Sequence, residues 1–411
     1  MMQIHLDLLI NQALEELKRL GLHQSTIKTY RYSAYSPIRN YCARHGITYY
    51  EPAILDEFLS SQKKRIGDSE ISKGYYRSLY RAVQVLKNVF HHGALHWDHC
   101  SKGSAYKTND YFALCLRQFL ESQQLSKGTI ATLKSCILQF LNHIERNGHS
   151  CFSTLSPTDV KAYLIVAAET HQRSMGNVLY PLRLFLNYLK EYSLVPVDFN
   201  PVLNTPVKRK KRILPCFTHE EVDTILKQID RETKEGKRDY AILFLASHTG
   251  LRAVDIANLR LTDLDWVNDT IRIIQRKTGR SLMLPLETDT GNAIAAYILE
   301  ARPESDSEYV FLRSKAPYRK LADIGSMDNV LEKYQKKAGI PRKPNDGKSF
   351  HALRRSMGTW MLESGVPLAT ISQVLGHKEQ NSAKQYLSMD HQRLASCALD
   401  FQDIPVEGRL F

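Results

Sequence analysis

The chain has 411 residues, with 56 lysines and arginines against 43 aspartates and glutamates, so its formal net charge is +13. This surplus favours a polyanionic partner, and at ~150 residues per domain the length suggests two or three domains. The seven cysteines include no C-x-x-C pair, which argues against a disulfide framework, and the apolar runs are too short for a signal-peptide core or a membrane span. A cytoplasmic protein without membrane contact is therefore the expectation.

The first 200 residues contain a faint internal repeat. Residues Leu22–Ser33 match residues Leu125–Cys136, and after each copy apolar residues recur at helical spacing. The pattern predicts that each copy closes with a long amphipathic helix, at Tyr75–Phe90 and at Val178–Tyr192. We therefore expect two tandem units of four helices each.

Basic and aromatic residues interleave in the segments KTYRYSAY and YYRSLYR of the first unit. Such a surface suits contact with a phosphate backbone. Alternatively, the tyrosines pack inward and the basic side chains are merely solvated. The candidate contact residues in the two units are Lys28, Arg31, Arg77, Arg81 and Lys134.

A histidine-rich segment follows the first unit. Its potential metal ligands are His91, His92, His96, His99 and Cys100. These residues are bunched together, and they lack the paired spacing with an intervening loop that structural zinc sites prefer. We therefore predict no metal, and we interpret the segment as a solvated or DNA-facing turn between domains.

Residues 201–216 have the composition of a linker. The segment PVLNTPVKRKKRILP holds three prolines, which disfavour a continuous helix. It also holds five consecutive basic residues, namely Lys208, Arg209, Lys210, Lys211 and Arg212. These charges repel one another unless an anion screens them. The segment is interpreted as a linker that contacts DNA, with a flexible solvated tether as the alternative.

A new domain begins directly after this linker. Thr218 and Glu221 form the T-x-x-E capping box of a helix start, and the apolar stretch 239–247 predicts a buried helix. An HTG turn then ends that helix. Arg252 follows at the start of the next helix, and Asp255 lies three residues further on the same face, where it can orient the guanidinium.

A change to alternating hydrophobicity predicts a β-hairpin next. Residues Thr270–Gln275 and Ser281–Leu286 flank the sequence RKTGR, in which Gly279 supplies a positive φ. Lys277 lies on this turn. It is either a solubilising charge or an ammonium group that reaches into a groove and protonates a leaving oxygen.

The last predicted helices carry the clearest motifs. His351 and Arg354, at positions i and i+3 of one helix, share an edge, whereas Arg355 turns about 100° away and is left out of the site. A proline and a glycine delimit the next short helix, so that His377 lies just past its end. Tyr386 follows nine residues later.

Six residues in this part of the chain supply what is needed to break and reseal a phosphodiester without a metal. They are Arg252, Lys277, His351, Arg354, His377 and Tyr386. Guanidinium and imidazole groups grip a phosphate, a lysine donates a proton and a tyrosine attacks. Their order and spacing, with the motifs HTGLR, HALRR and LGH before the tyrosine, resemble the tyrosine recombinases, or phage-type integrases, over about residues 215–400.

The resemblance implies a fold that is mainly α with a small β-sheet. The second unit, residues 106–200, would be a helical core-binding domain of the SAM-like type. The first unit, residues 1–105, would be either a divergent copy of it or an arm-type DNA-binding domain. After the linker, residues 217–411 would form a mixed α+β catalytic domain, whose C-terminal tail covers a neighbouring protomer or packs on its own domain.

The resemblance also implies a role for each residue of the set. Tyr386 would form a 3′-phosphotyrosyl bond, with His351 as general base and Lys277 as the acid that protonates the departing 5′-oxygen. The groups around the non-bridging oxygens would be Arg252, Arg354 and His377. No metal, cofactor or ATP is expected to take part.

The implied partner is double-stranded DNA with specific recombination sites. Four identical protomers would exchange strands between two duplexes through a Holliday junction, with an accessory DNA-bending or directionality factor as a further candidate partner. A prokaryotic, nucleoid-associated protein is expected, and the two tandem units favour a mobile-element integrase or transposase. The alternatives are a type IB topoisomerase-like enzyme and a DNA-binding accessory protein that has lost catalysis.

Overall fold

The computed structural model describes residues 4–97, 106, 108–171, 174–204, 214–321, 325–343 and 346–377. Within this part of the chain, residues 108–204 form one compact unit, and residues 4–97 form another together with the residues from 214 onward. In the latter unit Gly21 lies against the side chains of Ala316 and Tyr318. Each of the three sequence regions nevertheless builds an apolar core of its own.

Five α-helices and a π-helical stretch make up the described residues 4–97. They are α1 (Leu6–Arg19), α2 (Gln24–Thr29), the π-helical stretch Tyr30–Tyr35, α3 (Ser36–Arg44), α4 (Pro52–Gly67) and α5 (Lys73–His92). Helix α5 begins where the Ser72 hydroxyl accepts the N–H of Tyr75, and it ends at Gly93, whose φ is +69°. The predicted closing helix Tyr75–Phe90 is thus present, with two more residues at each end.

The next region is also helical. Its helices are α6 (Asp110–Ser122), α7 (Lys127–Arg146), α8 (Pro157–Thr170), α9 (Gly176–Glu191) and α10 (Asn200–Leu203). Helix α9 covers the predicted closing helix Val178–Tyr192 except for its last residue. The core contains four packed phenylalanines, Phe112, Phe119, Phe152 and Phe185, with ring centroids 4.7 to 5.8 Å apart in the contacting pairs.

The two copies of the sequence repeat differ in local structure. Most of Leu125–Cys136 lies in the continuous helix α7, whereas Leu22–Ser33 passes from α2 into the π-helical stretch. Pro37 follows that stretch and has no backbone N–H, so regular i→i−4 hydrogen bonding cannot continue through it. Phe140 stands at the matching position of the second copy, where the helix stays regular.

The described residues from 214 to 377 contain seven α-helices and one three-stranded sheet. The elements are α11 (His219–Lys227), α12 (Lys234–Thr249), α13 (Ala253–Ala257), β1 (Leu264–Asp265), β2 (Thr270–Ile274), β3 (Ser281–Pro285), α14 (Thr288–Glu300), α15 (Gly325–Lys337), α16 (Phe350–Glu363) and α17 (Leu368–Val374). The sheet is antiparallel in the order β1-β2-β3, with Ile271 opposite Leu284. The predicted hairpin is therefore confirmed, including the positive φ of +68° at Gly279.

Helix α12 lies at the centre of this region's core. Ile242, Leu245 and Ala246 are fully buried, and α14 and α16 pack against the helix. The predicted buried helix is thus confirmed. The predicted capping box is present as well, because Thr218 and Glu221 exchange reciprocal hydrogen bonds of 3.1 Å at the start of α11.

The described residues therefore form a mainly helical structure with a small β-sheet, as expected. None of the helices they contain has the length and apolar composition needed to span a lipid bilayer.

Candidate active site

Arg252 lies where three segments of the last region meet. Helix α12 ends at Thr249, and Gly250 then takes a φ of +63°, so that the chain turns and Arg252 caps α13. A Cβ atom on Gly250 would lie 2.7 Å from Cδ2 of Leu375 and 3.3 Å from Cγ of Met357. Glycine is therefore required here both for its φ and for the close approach of α16 and α17.

Arg354 is buried beside the same turn, with 3% of its surface exposed. Its Nη1 donates to the carbonyl oxygen of Gly250 at 2.8 Å, and its Nη2 donates to the carbonyl oxygen of Leu375. These two carbonyls belong to the residues that end α12 and α17, so they fix the plane of the guanidinium between two turns. Arg355 instead donates to the carbonyl of Gly347, in agreement with its different helical phase.

Two histidines lie beside these guanidiniums. His351 is in the first turn of α16, and His377 follows Gly376, which has a φ of +62° after α17. Desolvation by the surrounding protein, followed by nearby positive charges that include those of Arg354 and Arg252, lowers the pKa of both imidazoles to about 4. His377 is buried, whereas His351 is exposed to solvent. Both rings are therefore neutral at pH 7, as proton acceptors must be.

Lys277 is exposed on the turn of the β2–β3 hairpin. Backbone hydrogen bonds from Gly279 to Gln275 and from Gln275 to Arg280 close this turn. Nη1 of Arg280 donates to the carbonyl oxygen of His377 at 2.8 Å, which joins the hairpin to the turn after α17. The positive charge of Lys277 contributes to the lowered pKa of His351, but less than the charges of Arg354, Arg355 and Arg252 do.

Asp255 is the predicted partner of Arg252, but another residue makes the closer contact. The Oδ2 atom of the buried Asp255 lies 3.9 Å from Nη1 of Arg252, beyond hydrogen-bond length, and its Oδ1 accepts the N–H of Arg276 at 2.9 Å. Burial raises the pKa of this carboxyl group. The Oε1 atom of Gln275 accepts a hydrogen bond from Arg252 at 2.8 Å.

Gln275 is the residue of this site that sequence reasoning missed. Ile271 and Ile273 are the inward positions of β2, and Gln275 continues their alternation just past the strand. A polar residue at an inward position is informative, because a buried amide must find hydrogen-bond partners. That break in the apolar pattern was the available signal.

Some of the predicted residues lie outside the described part of the chain. They are Tyr386, Lys208, Arg209, Lys210, Lys211, Arg212, His99 and Cys100. The other predicted DNA-contact residues are all exposed, namely Lys28, Arg31, Arg77, Arg81 and Lys134. The guanidinium of Arg81 lies 5.0 Å from the ring centroid of Trp97. Contact of these residues with DNA stays a prediction. Among the described residues, no group of histidines, cysteines and carboxylates is arranged to hold a metal ion.

The described part of the site thus combines two guanidiniums, two neutral imidazoles and a nearby lysine. Guanidiniums bind the oxygens of a tetrahedral oxyanion bidentately and compensate negative charge that grows on them. A neutral imidazole accepts a proton from an attacking group, and an ammonium group donates one to a departing oxygen. The arrangement is suited to displacement at a phosphate.

The lowered histidine pKa predicts a loss of stability in acid. An unfolded chain protonates its histidines below about pH 6.5, whereas the folded chain keeps His377 neutral down to about pH 4. Between these values the unfolded state binds more protons, so the free energy of unfolding should fall as the pH falls. The substitution His377→Gln should flatten this fall by up to about 1.4 kcal/mol per pH unit. Thermal unfolding at pH 7, 6 and 5 measures the effect, and identical pH slopes for the two proteins would contradict a neutral buried imidazole.

Comparisons with known protein sequences agree on one family. Residues 215–393 match the phage integrase family. The putative integrase/recombinase y4rA of Sinorhizobium fredii is 30% identical over 285 residues, which cover 69% of this chain and 68% of that protein. The tyrosine recombinase XerC of Oceanobacillus iheyensis is 26% identical over 297 residues, which cover 69% of this chain and 94% of that protein.

Solved structures share the fold. A lambda integrase tetramer bound to a Holliday junction has a TM-score of 0.54 and 17% identity, over 75% of this chain and 86% of that one. The Tn1549 transposon integrase in complex with transposon right end DNA has a TM-score of 0.52 and 15% identity, over 69% of this chain and 99% of that one.

Proposed function

Because this chain belongs to the phage integrase family of tyrosine recombinases, we propose that it cuts and rejoins DNA at specific sites through a 3′-phosphotyrosyl intermediate and a Holliday junction. The observation that carries this proposal is the convergence of two arginines and two neutral histidines from three separate segments of the chain. Family membership indicates the class of reaction, and these arginines and histidines provide the groups that bind the phosphate and accept a proton.

Arg252 and Arg354 hold the scissile phosphate. A guanidinium presents planar N–H donors that match the geometry of phosphate oxygens. Both planes are set before DNA arrives, since Arg354 is anchored on two carbonyl oxygens and Arg252 on the amide of Gln275. Donors that are already in place stabilise the additional charge of a pentavalent transition state. His377 adds an imidazole to the same set.

Tyr386 is the nucleophile in this proposal. A phenol has a pKa of about 10, so a base must take its proton as the oxygen attacks, and the neutral His351 serves as that base. The negative phosphate raises the pKa of His351 when it binds, which makes the imidazole a stronger proton acceptor. The new bond from Tyr386 to phosphorus replaces the bond to the 5′-oxygen, which leaves with a proton from Lys277.

The second step reverses the first. The 5′-hydroxyl of another strand attacks the phosphotyrosyl bond, so that a new phosphodiester forms and the phenol of Tyr386 is released. The energy of the broken phosphodiester is kept in the tyrosyl ester, and neither ATP nor a metal ion is consumed.

We assign four parts to the chain in this function. Residues 1–105 and 106–200 are helical DNA-binding domains, the second of the core-binding type, residues 201–216 are a basic linker and residues 217–411 are the catalytic domain. The net charge of +13 supports this assignment, because phosphate contacts by lysine and arginine dominate the affinity for DNA. The exposed basic side chains of both helical regions and the five basic residues of the linker face the phosphate backbone.

Strand exchange needs four copies of the chain on two duplexes. The fold shared with a lambda integrase tetramer bound to a Holliday junction supports a homotetramer. The fold shared with the Tn1549 transposon integrase supports integration or excision of a mobile element. An accessory DNA-bending or directionality factor and a nucleoid-associated location in a prokaryotic cell complete the proposal.

Two other activities use part of the same chemistry. A type IB topoisomerase-like enzyme makes the same phosphotyrosyl bond but relaxes DNA as a monomer without a preferred site. A catalytically silent accessory protein binds DNA without cutting it. The helical regions that precede the catalytic domain favour site-specific recombination over both.

Recombination should proceed without a divalent metal or ATP, because arginines and histidines supply the charge compensation that metal ions provide elsewhere. The test uses a plasmid with two copies of a DNA sequence that the full chain selects from a random library. In EDTA and without ATP, we expect deletion or inversion between the two copies. Relaxation of plasmids that lack the sequence would instead identify a topoisomerase, and binding without either product would identify an accessory protein.

A further inference from the structure

Gln275 is fully buried just past the end of β2, and its amide group contacts three segments of the site. We propose that Gln275 is a positioning residue, which fixes the guanidinium of Arg252 against the turn before His377. The inference rests on the proposed function, since it concerns how the scissile phosphate meets its arginines.

The hydrogen bonds of the Gln275 side chain to Arg252 and to Leu375 support this role. Its Oε1 accepts hydrogen bonds from Nη1 of Arg252 and from Oγ1 of Thr278, both at 2.8 Å. Its Nε2 donates to the carbonyl oxygen of Leu375 at 3.2 Å. An amide rotated by 180° would direct its NH₂ group at a guanidinium that has only donors, so the partners specify the orientation.

The carbonyl oxygen of Leu375 joins the two arginines. It accepts one hydrogen bond from Nε2 of Gln275 and another from Nη2 of Arg354. Arg252 is therefore connected to Arg354 through the amide of Gln275 and a single carbonyl group. Movement of this amide would shift Arg252 relative to Arg354 and to the following His377.

The glycine of the LGH motif makes room for this contact. A Cβ atom on Gly376 would lie 2.5 Å from both Oε1 and Nε2 of Gln275, far inside van der Waals contact. Gly376 also has a φ of +62°, which a residue with a side chain adopts poorly. The turn before His377 and the amide of Gln275 are thus packed as one unit.

The chemistry of an amide explains why glutamine suits this position. An apolar residue of similar size would fill the space but leave Nη1 of Arg252 without this acceptor, and a buried polar group that loses its partner costs about 1–3 kcal/mol. A carboxylate would hold the guanidinium but also neutralise it. A neutral amide holds Arg252 in place and leaves its full positive charge for the phosphate. Asp255 restrains the guanidinium of Arg252 less than Gln275 does, because its nearest oxygen lies 3.9 Å from Nη1 of Arg252.

The experiment compares Gln275→Met and Gln275→Glu with the unchanged full-length chain in single-turnover cleavage of three bound DNA substrates. The first is an ordinary phosphodiester. The second is a methylphosphonate, in which a methyl group replaces a charged non-bridging oxygen. The third carries sulphur at the 5′-bridging position, where the leaving group needs no acid. Gln275→Met keeps the length of the side chain without its polar atoms, and Gln275→Glu keeps its shape but adds charge.

We expect both variants to slow cleavage of the phosphodiester by roughly 10- to 100-fold, the effect of misplacing a catalytic group by about 1 Å. Cleavage of the methylphosphonate should be slowed much less, because this substrate has less negative charge for Arg252 to compensate. Both variants should slow cleavage of the 5′-sulphur substrate by the same factor as cleavage of the phosphodiester. Ile273→Val, at the neighbouring buried position, serves as the control for packing and should leave the three rates in their normal ratios.

Several results would overturn the inference. Equal slowing on all three substrates, together with a lower melting temperature, would indicate a purely structural role. Rescue by the 5′-sulphur substrate would indicate that Gln275 acts on the Lys277 turn rather than on Arg252. Failure of the unchanged protein to cleave any of the substrates would instead remove the proposed function itself, so the two failures are distinguishable.

Discussion

Replacing Tyr386 by phenylalanine should abolish the covalent joining of this protein to DNA while leaving DNA binding intact. The substitution removes only the phenolic oxygen, which is the attacking atom in the proposed reaction, so cleavage should fall by at least about a thousandfold. A nicked suicide substrate, whose cut end diffuses away, traps the adduct of the unchanged protein. Denaturing gels then show the adduct, and gel shifts show the binding.

This prediction rests on the position of Tyr386 in the sequence, because the residue lies outside the described structure. Tyr309→Phe is the matched control, because Tyr309 lies in the same domain next to Arg260 and Lys320 and outside the LGH context. It should form the adduct at the normal rate. Peptide mapping of the adduct to any tyrosine other than Tyr386 would refute the assignment.

Lys277→Ala should cleave ordinary DNA roughly 100- to 10,000-fold more slowly, the range typical of a lost general acid. An alkoxide leaves poorly without a proton, whereas a thiolate leaves readily. With sulphur at the 5′-bridging position, the variant should therefore regain nearly the rate of the unchanged protein. Single-turnover rates on the two substrates, with enzyme bound before the reaction starts, provide the measurement.

Arg354→Ala should remain slow on both substrates, because it loses compensation of charge on the phosphate rather than protonation of the leaving group. Arg354 is buried and is anchored on two carbonyl oxygens, so this variant loses structural contacts too. Arg354→Lys keeps a positive charge without the guanidinium fork and should likewise remain slow on both substrates. Equal impairment of Lys277→Ala on oxygen and sulphur would exclude Lys277 as the acid and leave the hairpin turn as a DNA contact.

Sequence patterns predicted those features of the fold that depend on neighbouring residues. The capping box of Thr218 and Glu221 and the hairpin turn at Gly279 are both present, because each needs only a few consecutive residues and one backbone geometry. The burial of residues 239–247 in α12 followed from a sequence that is apolar on almost every side of the helix. The six candidate site residues were proposed because their order and spacing resemble those of the tyrosine recombinases.

Sequence resemblance alone did not predict local structure in the repeat. The segment after Leu22 contains a π-helical stretch, and its counterpart after Leu125 does not. One difference between the copies is Pro37, which stands where the second copy has Phe140 and which lacks the N–H that a regular helix would use there.

Only the tertiary structure decided how the site residues are held. Helical spacing placed Asp255 on the same face as Arg252, yet the guanidinium of Arg252 donates hydrogen bonds to Oε1 of Gln275 at 2.8 Å and to the carbonyl oxygen of Gly376 at 3.4 Å. Helical periodicity describes contacts within one element. Gln275 reaches Arg252 because Leu375, at the end of α17, packs against Gly250, and because Gln275 itself packs against Gly376. The sequence by itself therefore determined which chemical groups this protein possesses. The packing of distant segments determined which of those groups meet, because hydrogen bonds between them depend on distance in space and not on separation along the chain.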